Sequence, residues 1–217
     1  MERKNNNMST SIDLEDILRE IPDEVANMQL PDPYLRDLYI DEQDRVIKLD
    51  DEITEDTLRI IYKIIKYNKE DKGKNIEERK PIKILLNTMG GSVPVMWSII
   101  KAIKISKTPV WTINISAAYS AGAHILAAGH KRLAMPGSTV LIHSGSCVYG
   151  GTAEQADNAK KYYDALSKEA NDLLLQDTNI DPKTFKKKSP FDWYLTAEEA
   201  LKQRIIDEVI EDLDVIF

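Results

Sequence analysis

Residues 116–129 read SAAYSAGAHILAAG, and this stretch decides the fold. The run at 110–115 precedes it with the character of a strand, and the small apolar residues that follow are typical of a buried helix. Ser120 stands where the strand gives way to the helix. At such a turn, unpaired backbone N–H groups and the positive end of the helix dipole converge, so this position can support chemistry.

Two interpretations of Ser120 follow from this stretch alone. A serine before Ala-Gly-Ala can be an ordinary N-cap on a tightly packed helix, which is the commoner case. It can also be a nucleophile, because the small residues Ala118, Ala121 and Gly122 let another backbone approach closely, as peptide cleavage requires. Both interpretations stay open at this point.

The segments before residue 110 alternate between strand and helix patterns. Strands are predicted at 45–49 and 82–86, and a helix capped by Thr54 lies between them. The apolar residues that repeat at helical spacing along this helix, and that we expect in the core, are Leu58, Ile61, Ile64 and Ile65. A second helix is predicted at 92–106, after a Gly-Gly turn.

This alternation favours an α/β fold with a mostly parallel sheet and right-handed crossover helices. In such sheets, functional sites gather at the carboxyl ends of the strands. Gly90, Gly91 and Ser120 all follow predicted strands, so we expect them to face one crevice.

Two further strands are predicted at 131–133 and 139–143, and His143 closes the second. A helix predicted at 152–177 is too long to bury both ends against a small sheet, so it should project or pack on a partner chain. Near the end of the chain, Thr196 opens a short helix through a capping box. A last strand is predicted at 205–210.

Composition excludes several classes of function. The 217-residue chain has a net charge of −7 and no basic stripe interleaved with aromatic residues, so nucleic acid is not an expected partner. Its single cysteine, Cys147, offers neither an intramolecular disulfide nor a cysteine-based zinc cluster, and we give it no nucleophilic role. Without an apolar run of membrane-spanning length or a signal core, we expect a cytoplasmic protein with no membrane partner. We also expect no metal and no cofactor. Residues 1–35 are predicted to form a flexible or extended arm.

The candidate catalytic groups gain weight only in combination. A histidine at the end of an apolar strand is more often a hydrogen-bonded structural residue, and Asp192 could equally be a cap or a turn residue. Together with Ser120 and the Gly-Gly turn, however, His143 and Asp192 supply the four roles that triad-type acyl transfer needs.

From about residue 38 to residue 213, the chain resembles the proteolytic subunit of the Clp protease (ClpP) family, serine peptidases with a crotonase-like fold. The resemblance rests on four segments in the family's order along the chain. They are Asn-Thr-Met-Gly-Gly at 87–91, Tyr-Ser-Ala-Gly-Ala at 119–123, Leu-Ile-His at 141–143, and the aspartate at 192 with Thr-Ala-Glu-Glu-Ala at 196–200. The resemblance implies a peptidase domain over residues 36–217.

The resemblance also implies roles for single residues. Ser120 would be the nucleophile, His143 the general base and then acid, and Asp192 the group that orients the imidazole. The N–H groups of Gly91 and Ala121 would form the oxyanion hole. The residues implied in substrate binding are Ser92, Val93, Gly145 and Ser146.

The family's assembly is implied as well. The helix at 152–177 resembles the handle that interdigitates between two heptameric rings, so the expected partners are copies of the chain in one or two rings, polypeptide substrates and a candidate AAA+ unfoldase. At Pro190 and Phe191, the family commonly has an acidic residue and an arginine that link the rings. Because this chain lacks those ion pairs, we predict that the isolated protein is poorly active.

Three functions remain in competition. The first is a serine endopeptidase that cleaves unfolded polypeptides inside a self-compartmentalised oligomer and does not itself use ATP. The second is a catalytically passive structural subunit of such a ring. The third is a crotonase-fold enzyme acting on acyl-coenzyme A, which the set of Ser120, His143 and Asp192 disfavours because that chemistry needs no serine nucleophile.

Overall fold

The structure, a computed structural model, describes residues 41–145 and 148–216. The predicted arm at 1–35, Ser146 and Cys147 lie outside the described residues, and the predicted domain boundary after residue 35 stays a prediction. Neither the 25-residue helix nor any other helix in the described ranges is long and apolar enough to cross a membrane.

A mixed, mostly parallel sheet forms the centre of the fold, which confirms the predicted α/β class. Five strands run in the order β1-β2-β3-β4-β7, and all their pairings are parallel. β5 joins β3 in parallel and pairs with β6 in the only antiparallel contact among the described strands. The strands are β1 (Val46–Leu49), β2 (Ile82–Thr88), β3 (Val110–Tyr119), β4 (Lys131–Ala134), β5 (Thr139–Ile142), β6 (Trp193–Thr196) and β7 (Glu208–Val209).

Helices connect most consecutive strands, as expected for parallel crossovers, whereas residues 135–138 join β4 to β5 without a helix. The α-helices are α1 (Arg59–Glu70), α2 (Val93–Ile105), α3 (Ala121–Ala127), α4 (Ala153–Asp177), α5 (Pro182–Lys188) and α6 (Ala197–Lys202). Short 3₁₀ turns are found at Glu55–Leu58, Ile76–Glu78 and Leu213–Ile216. The predicted capping box of Thr196 is present at the start of α6.

The central strand β3 divides its partners along its length. Its first half pairs with β4, from Trp111 opposite Lys131 onward, whereas its last three residues pair with β5, ending with Tyr119 opposite Leu141. The Asn114 side chain donates from Nδ2 to the carbonyl of Thr139, at 2.9 Å, where the partners change. The carboxyl ends of β3 and β5 therefore lie side by side.

The long helix α4 has nearly the predicted bounds, Ala153–Asp177 against 152–177. Thr152 and Gln155 form a reciprocal capping box at its start. Its two fully buried residues, Ala170 and Leu174, both lie in the last third of the helix. The amino-terminal part of α4 therefore leaves the core.

The predicted inner face of α1 is partly wrong. Ile65 is 60% exposed, whereas Ile60, Ile64 and Tyr67 are buried. Leu58 and Ile61 pack, partly buried, against the core, so the prediction fails at Ile65, which lies about 100° around the helix from the buried Ile64. The side chain of Thr54 makes no cap hydrogen bond, and a 3₁₀ turn over Glu55–Leu58 precedes α1.

The last predicted strand is also shorter than expected. Only Glu208 and Val209 pair with β4. Ile205 and Ile206, which were predicted to belong to this strand, are both completely buried in the turn that follows α6.

Candidate active site

Ser120 occupies the turn between β3 and α3 in an unusual backbone conformation. Its φ is +54° and its ψ −118°, and its side chain makes no cap hydrogen bond with the helix. The interpretation of Ser120 as an ordinary N-cap is therefore wrong. A non-glycine residue with positive φ costs about 1–3 kcal/mol and persists only where its surroundings hold it. Here the Ser120 N–H donates to the Leu141 carbonyl at 2.8 Å, and its own carbonyl accepts from the Ala123 N–H at 3.0 Å.

The Ser120 side chain, which does not cap the helix, contacts His143. Ser120 Oγ lies 2.8 Å from His143 Nε2, within hydrogen-bond distance. The contact follows from sheet register, since Tyr119 pairs with Leu141 and the two strands run parallel. Ser120 follows Tyr119 directly and His143 is the first residue after β5, so both stand at the same edge of the sheet.

Asp192 completes the group from the antiparallel strand. Ile142 pairs with Trp193, so the residue after β5 and the residue before β6 are brought together. Asp192 Oδ1 lies 3.4 Å from His143 Nδ1, and the Asp192 side chain is 59% exposed. This separation is longer than the usual N–H···O hydrogen bond, so the contact is looser than the one to Ser120.

The Gly-Gly turn after β2 packs directly on Ser120. Gly90 and Gly91 have φ values of +104° and +144°. A Cβ atom on Gly90 would lie 2.7 Å from the Cβ of Ser120, so only glycine fits at this position. The predicted crevice that brings the Gly-Gly turn beside Ser120 is therefore present.

Two backbone N–H groups near Ser120 stand outside the local hydrogen-bond pattern. Ile53 bridges the turn by donating to the Gly90 carbonyl and accepting from the Ser92 N–H, so neither bond of the bridge uses the N–H of Gly91. The N–H of Ala121 opens α3, and the first N–H groups of a helix have no intrahelical acceptor. The role of Gly91 and Ala121 in an oxyanion hole stays a prediction.

A cavity of about 40 Å³ opens beside Ser120 and His143. A groove of about 490 Å³ along α4 shares several lining residues with this cavity, among them Asn171. Of the residues predicted to bind substrate, Val93 and Gly145 line both spaces, and Ser92 precedes α2 with its N–H bonded to Ile53.

His124 belongs to the site but was not predicted. It lies one turn after Ser120 on α3, and 9% of its surface is exposed. Its Nδ1 is 3.1 Å from the Ser120 carbonyl, and its Nε2 is 3.0 Å from Asn171 Oδ1 on α4. Burial lowers the pKa of His124 below its ordinary value, which keeps the ring neutral at neutral pH. The available signal was a lone histidine in an apolar helix, four residues after the candidate nucleophile.

Buried charges away from the site have structural partners. Arg45 Nη1 lies 2.6 Å from Asp71 Oδ2, and this contact holds the pKa of the Asp71 carboxyl well below its usual range. Asp71 also accepts from the Thr108 hydroxyl at 3.1 Å. Across residues 41–145 and 148–216, no three His, Cys, Asp or Glu side chains are grouped so that they could hold a metal ion.

Comparison with known families agrees with this geometry. A family model described as Clp protease matches residues 37–213, which is most of the chain and includes every described residue of the site. The match also spans the whole sheet. The resemblance seen in the four sequence segments is therefore confirmed, and the chain belongs to the Clp protease family, a family of peptidases whose members generally form oligomeric rings.

Proposed function

We propose that the protein is a serine endopeptidase that hydrolyses peptide bonds of unfolded polypeptides, with Ser120, His143 and Asp192 as its catalytic triad. The observation that carries the proposal is the 2.8 Å contact between Ser120 Oγ and His143 Nε2. A serine held at positive φ with its hydroxyl on an imidazole has the arrangement expected of an activated nucleophile.

In the acylation step, Ser120 Oγ attacks the carbonyl carbon of the scissile peptide bond while its proton passes to His143 Nε2. The negative charge that develops on the carbonyl oxygen is stabilised by the N–H groups of Gly91 and Ala121. Removing one such donor typically costs about 3–4 kcal/mol of transition-state stabilisation. His143 then gives the proton to the departing amine, and the acyl group stays on Ser120.

In the deacylation step, water replaces the amine. His143 takes a proton from the water, the hydroxide adds to the acyl carbon, and Ser120 leaves with the proton returned by His143. Asp192 orients the imidazole through Nδ1 and stabilises the imidazolium formed in both steps. No nucleotide, metal or cofactor enters this cycle.

The substrate lies as an extended chain in the groove along α4. Val93 and Gly145 border the groove, and Ser92 and Ser146 extend this contact in the proposal. The aromatic rings of Tyr149 and Tyr163, which line the groove 5.9 Å apart, give it an apolar wall. An extended polypeptide without its own fold can follow such a groove, which supports unfolded polypeptides as the substrate class.

The proposed assembly is a heptameric ring, alone or stacked on a second ring. The amino-terminal part of α4, which leaves the core, supports a contact with another copy. An AAA+ unfoldase that feeds the ring is the corresponding candidate partner.

Labelling with a fluorophosphonate tests the catalytic proposal. We expect the wild type to be modified at a single residue, Ser120, and Ser120→Ala to remain unmodified, with the site mapped by mass spectrometry. Peptide hydrolysis should disappear in the same variant. Labelling at another serine, or peptidase activity that survives Ser120→Ala, would overturn the assignment.

One observation favours a passive ring subunit as the second candidate. The contact between His143 Nδ1 and Asp192 Oδ1 is 3.4 Å long and exposed, so the third member of the triad holds the imidazole loosely. Sedimentation separates the two candidates when it is run on the labelled sample. A wild-type protein that is oligomeric and yet unlabelled would favour the passive subunit.

A further inference from the structure

We propose that His124 is a positioning residue that fixes the direction of the Ala121 N–H and ties it to the long helix α4 through Asn171. The inference rests on the proposed function, because it gives the Ala121 N–H a task in stabilising the oxyanion. It assigns a role to a buried side chain that the triad itself does not use.

The first step concerns the peptide group between Ser120 and Ala121. His124 Nδ1 lies 3.1 Å from the carbonyl oxygen of Ser120. That carbonyl and the N–H of Ala121 belong to one planar, trans peptide unit, so they point in opposite directions along it. A group that fixes the carbonyl therefore also fixes the N–H.

The second step is the direction of each hydrogen bond. A carbonyl oxygen only accepts, so His124 must carry its proton on Nδ1 and donate it to Ser120. A neutral imidazole then has Nε2 as an acceptor, and its partner on α4 must be a donor. The amide of Asn171 meets this need when a half-turn exchanges its nitrogen and oxygen, an orientation that is assigned from the hydrogen-bond network.

The third step concerns the parts of the molecule that the Ser120–His124–Asn171 hydrogen bonds connect. Asn171 lies on α4 and lines both the cavity beside Ser120 and the groove that follows it. α3 is seven residues long, and Ser120 at its start has a conformation that non-glycine residues rarely adopt. The hydrogen bond from His124 to the Ser120 carbonyl links this turn to the middle of α3. Because His124 also bonds to Asn171, the position of the turn depends on the position of α4.

A set of matched variants tests the inference. His124→Phe removes both hydrogen bonds and keeps a ring, whereas His124→Asn keeps a donor at the same number of bonds from the backbone as Nδ1. Asn171→Leu removes only the bond from α4. Thr112→Val is the control, because it removes one hydrogen bond to the other end of α3, the 2.7 Å contact with the Leu126 carbonyl, and leaves the turn intact.

The measurements are kcat and KM for a fluorogenic peptide, the rate of fluorophosphonate labelling at Ser120, and the thermal unfolding midpoint. We expect His124→Phe to lower kcat about threefold to tenfold, the range for one net hydrogen bond, with KM unchanged because the oxyanion forms only after binding. His124→Asn should recover most of the loss, Asn171→Leu should lose less than His124→Phe, and Thr112→Val should keep the wild-type kcat.

Three results would overturn the inference. One is a folded His124→Phe with wild-type kcat; another is a change confined to KM. If His124→Phe does not fold, wild-type kcat in both His124→Asn and Asn171→Leu would be the third, because neither variant keeps the bond between His124 and Asn171. Failure of the proposed function looks different, because the wild type itself would then not be labelled, and the role of His124 would fall with it.

Discussion

The two contacts of His143 differ in how the fold holds them. On one side, Nε2 is 2.8 Å from Ser120 Oγ, at a turn whose backbone is hydrogen bonded to β5. On the other side, Nδ1 is 3.4 Å from Asp192 Oδ1, and the Asp192 side chain is 59% exposed. The contact with the proposed nucleophile, here the nucleophile side, is thus set by the sheet backbone, whereas the contact with the carboxylate, the carboxylate side, lies at the surface.

This difference has a physical origin in the sheet. Ser120 and His143 follow two parallel strands that share hydrogen bonds, so their distance is fixed by the core. Asp192 precedes β6, which has β5 as its only strand partner among the described strands, and its neighbour Phe191 is 73% exposed. In the proposed oligomer, we expect a contact from another copy of the chain to order the Asp192 side chain.

The largest effect is expected on the nucleophile side. His143→Ala removes the base from Ser120, and loss of a base of this kind costs about 10⁶-fold in kcat. Peptide hydrolysis by the purified oligomer measures it. His130→Gln is the matched control, because His130 accepts from the Val110 N–H at 2.9 Å and does not touch the site. Residual activity within tenfold of wild type in His143→Ala would remove His143 from the mechanism.

Asp192→Asn should have a smaller effect. Where the carboxylate is well aligned, its loss costs about 10⁴-fold in kcat, and a loose, exposed contact should cost less. Measuring kcat for Asp192→Asn and His143→Ala under the same conditions gives the ratio of the two losses. A loss for Asp192→Asn as large as that for His143→Ala would show that the contact tightens in the working assembly and that the two sides do not differ.

A third substitution examines the packing behind the nucleophile. Gly90→Ala places a Cβ atom 2.7 Å from the Cβ of Ser120, so the Gly-Gly turn must move. Displacement of reacting groups by about 1 Å can cost about 100-fold, and we expect kcat to fall by that order.

Gly137→Ala is the control for Gly90→Ala. Gly137 also has a positive φ, of +79°, but nothing lies within 4 Å of an added Cβ. It should therefore lose stability through backbone strain and keep its kcat. Equal kcat in the two variants would mean that the close packing on Ser120 is not needed.

Much of the nucleophile side could be predicted from the sequence. The alternation of strands and helices predicts that the carboxyl ends of parallel strands share an edge, and Ser120 and Gly91 both follow such strands. The position of His143 after the 139–142 strand is visible too. These features depend on local patterns and on a general rule of parallel sheets.

Asp192 could be named from its sequence segment, but the strand pairing that places it beside His143 and the helix faces needed the structure. That β3 exchanges β4 for β5 along its length, and that β6 returns antiparallel, are properties of long-range pairing that no local pattern contains. Ile65 is exposed on α1 although it is apolar, because apolar spacing alone does not show which of two neighbouring residues, Ile64 or Ile65, faces the core. The role of His124 cannot be predicted from local sequence, because its partner Asn171 lies 47 residues further along the chain.

The smallest expected effect is the pH dependence of stability on the nucleophile side. Burial holds the pKa of His124 in the folded chain below its ordinary value of 6.5. As pH falls below about 6.5, the unfolded chain binds a proton that the folded chain does not, so the free energy of unfolding decreases until the folded pKa is reached.

His124→Phe lacks the histidine and therefore lacks this loss of stability at low pH. His130, whose pKa burial also lowers, is present in both proteins and affects them equally. Urea unfolding between pH 8 and about pH 5 should therefore show a steeper loss for the wild type. An equal dependence of the free energy of unfolding on pH in the two proteins would mean that His124 is charged or solvated in the folded state. Water would then reach the nucleophile side more than its contacts imply.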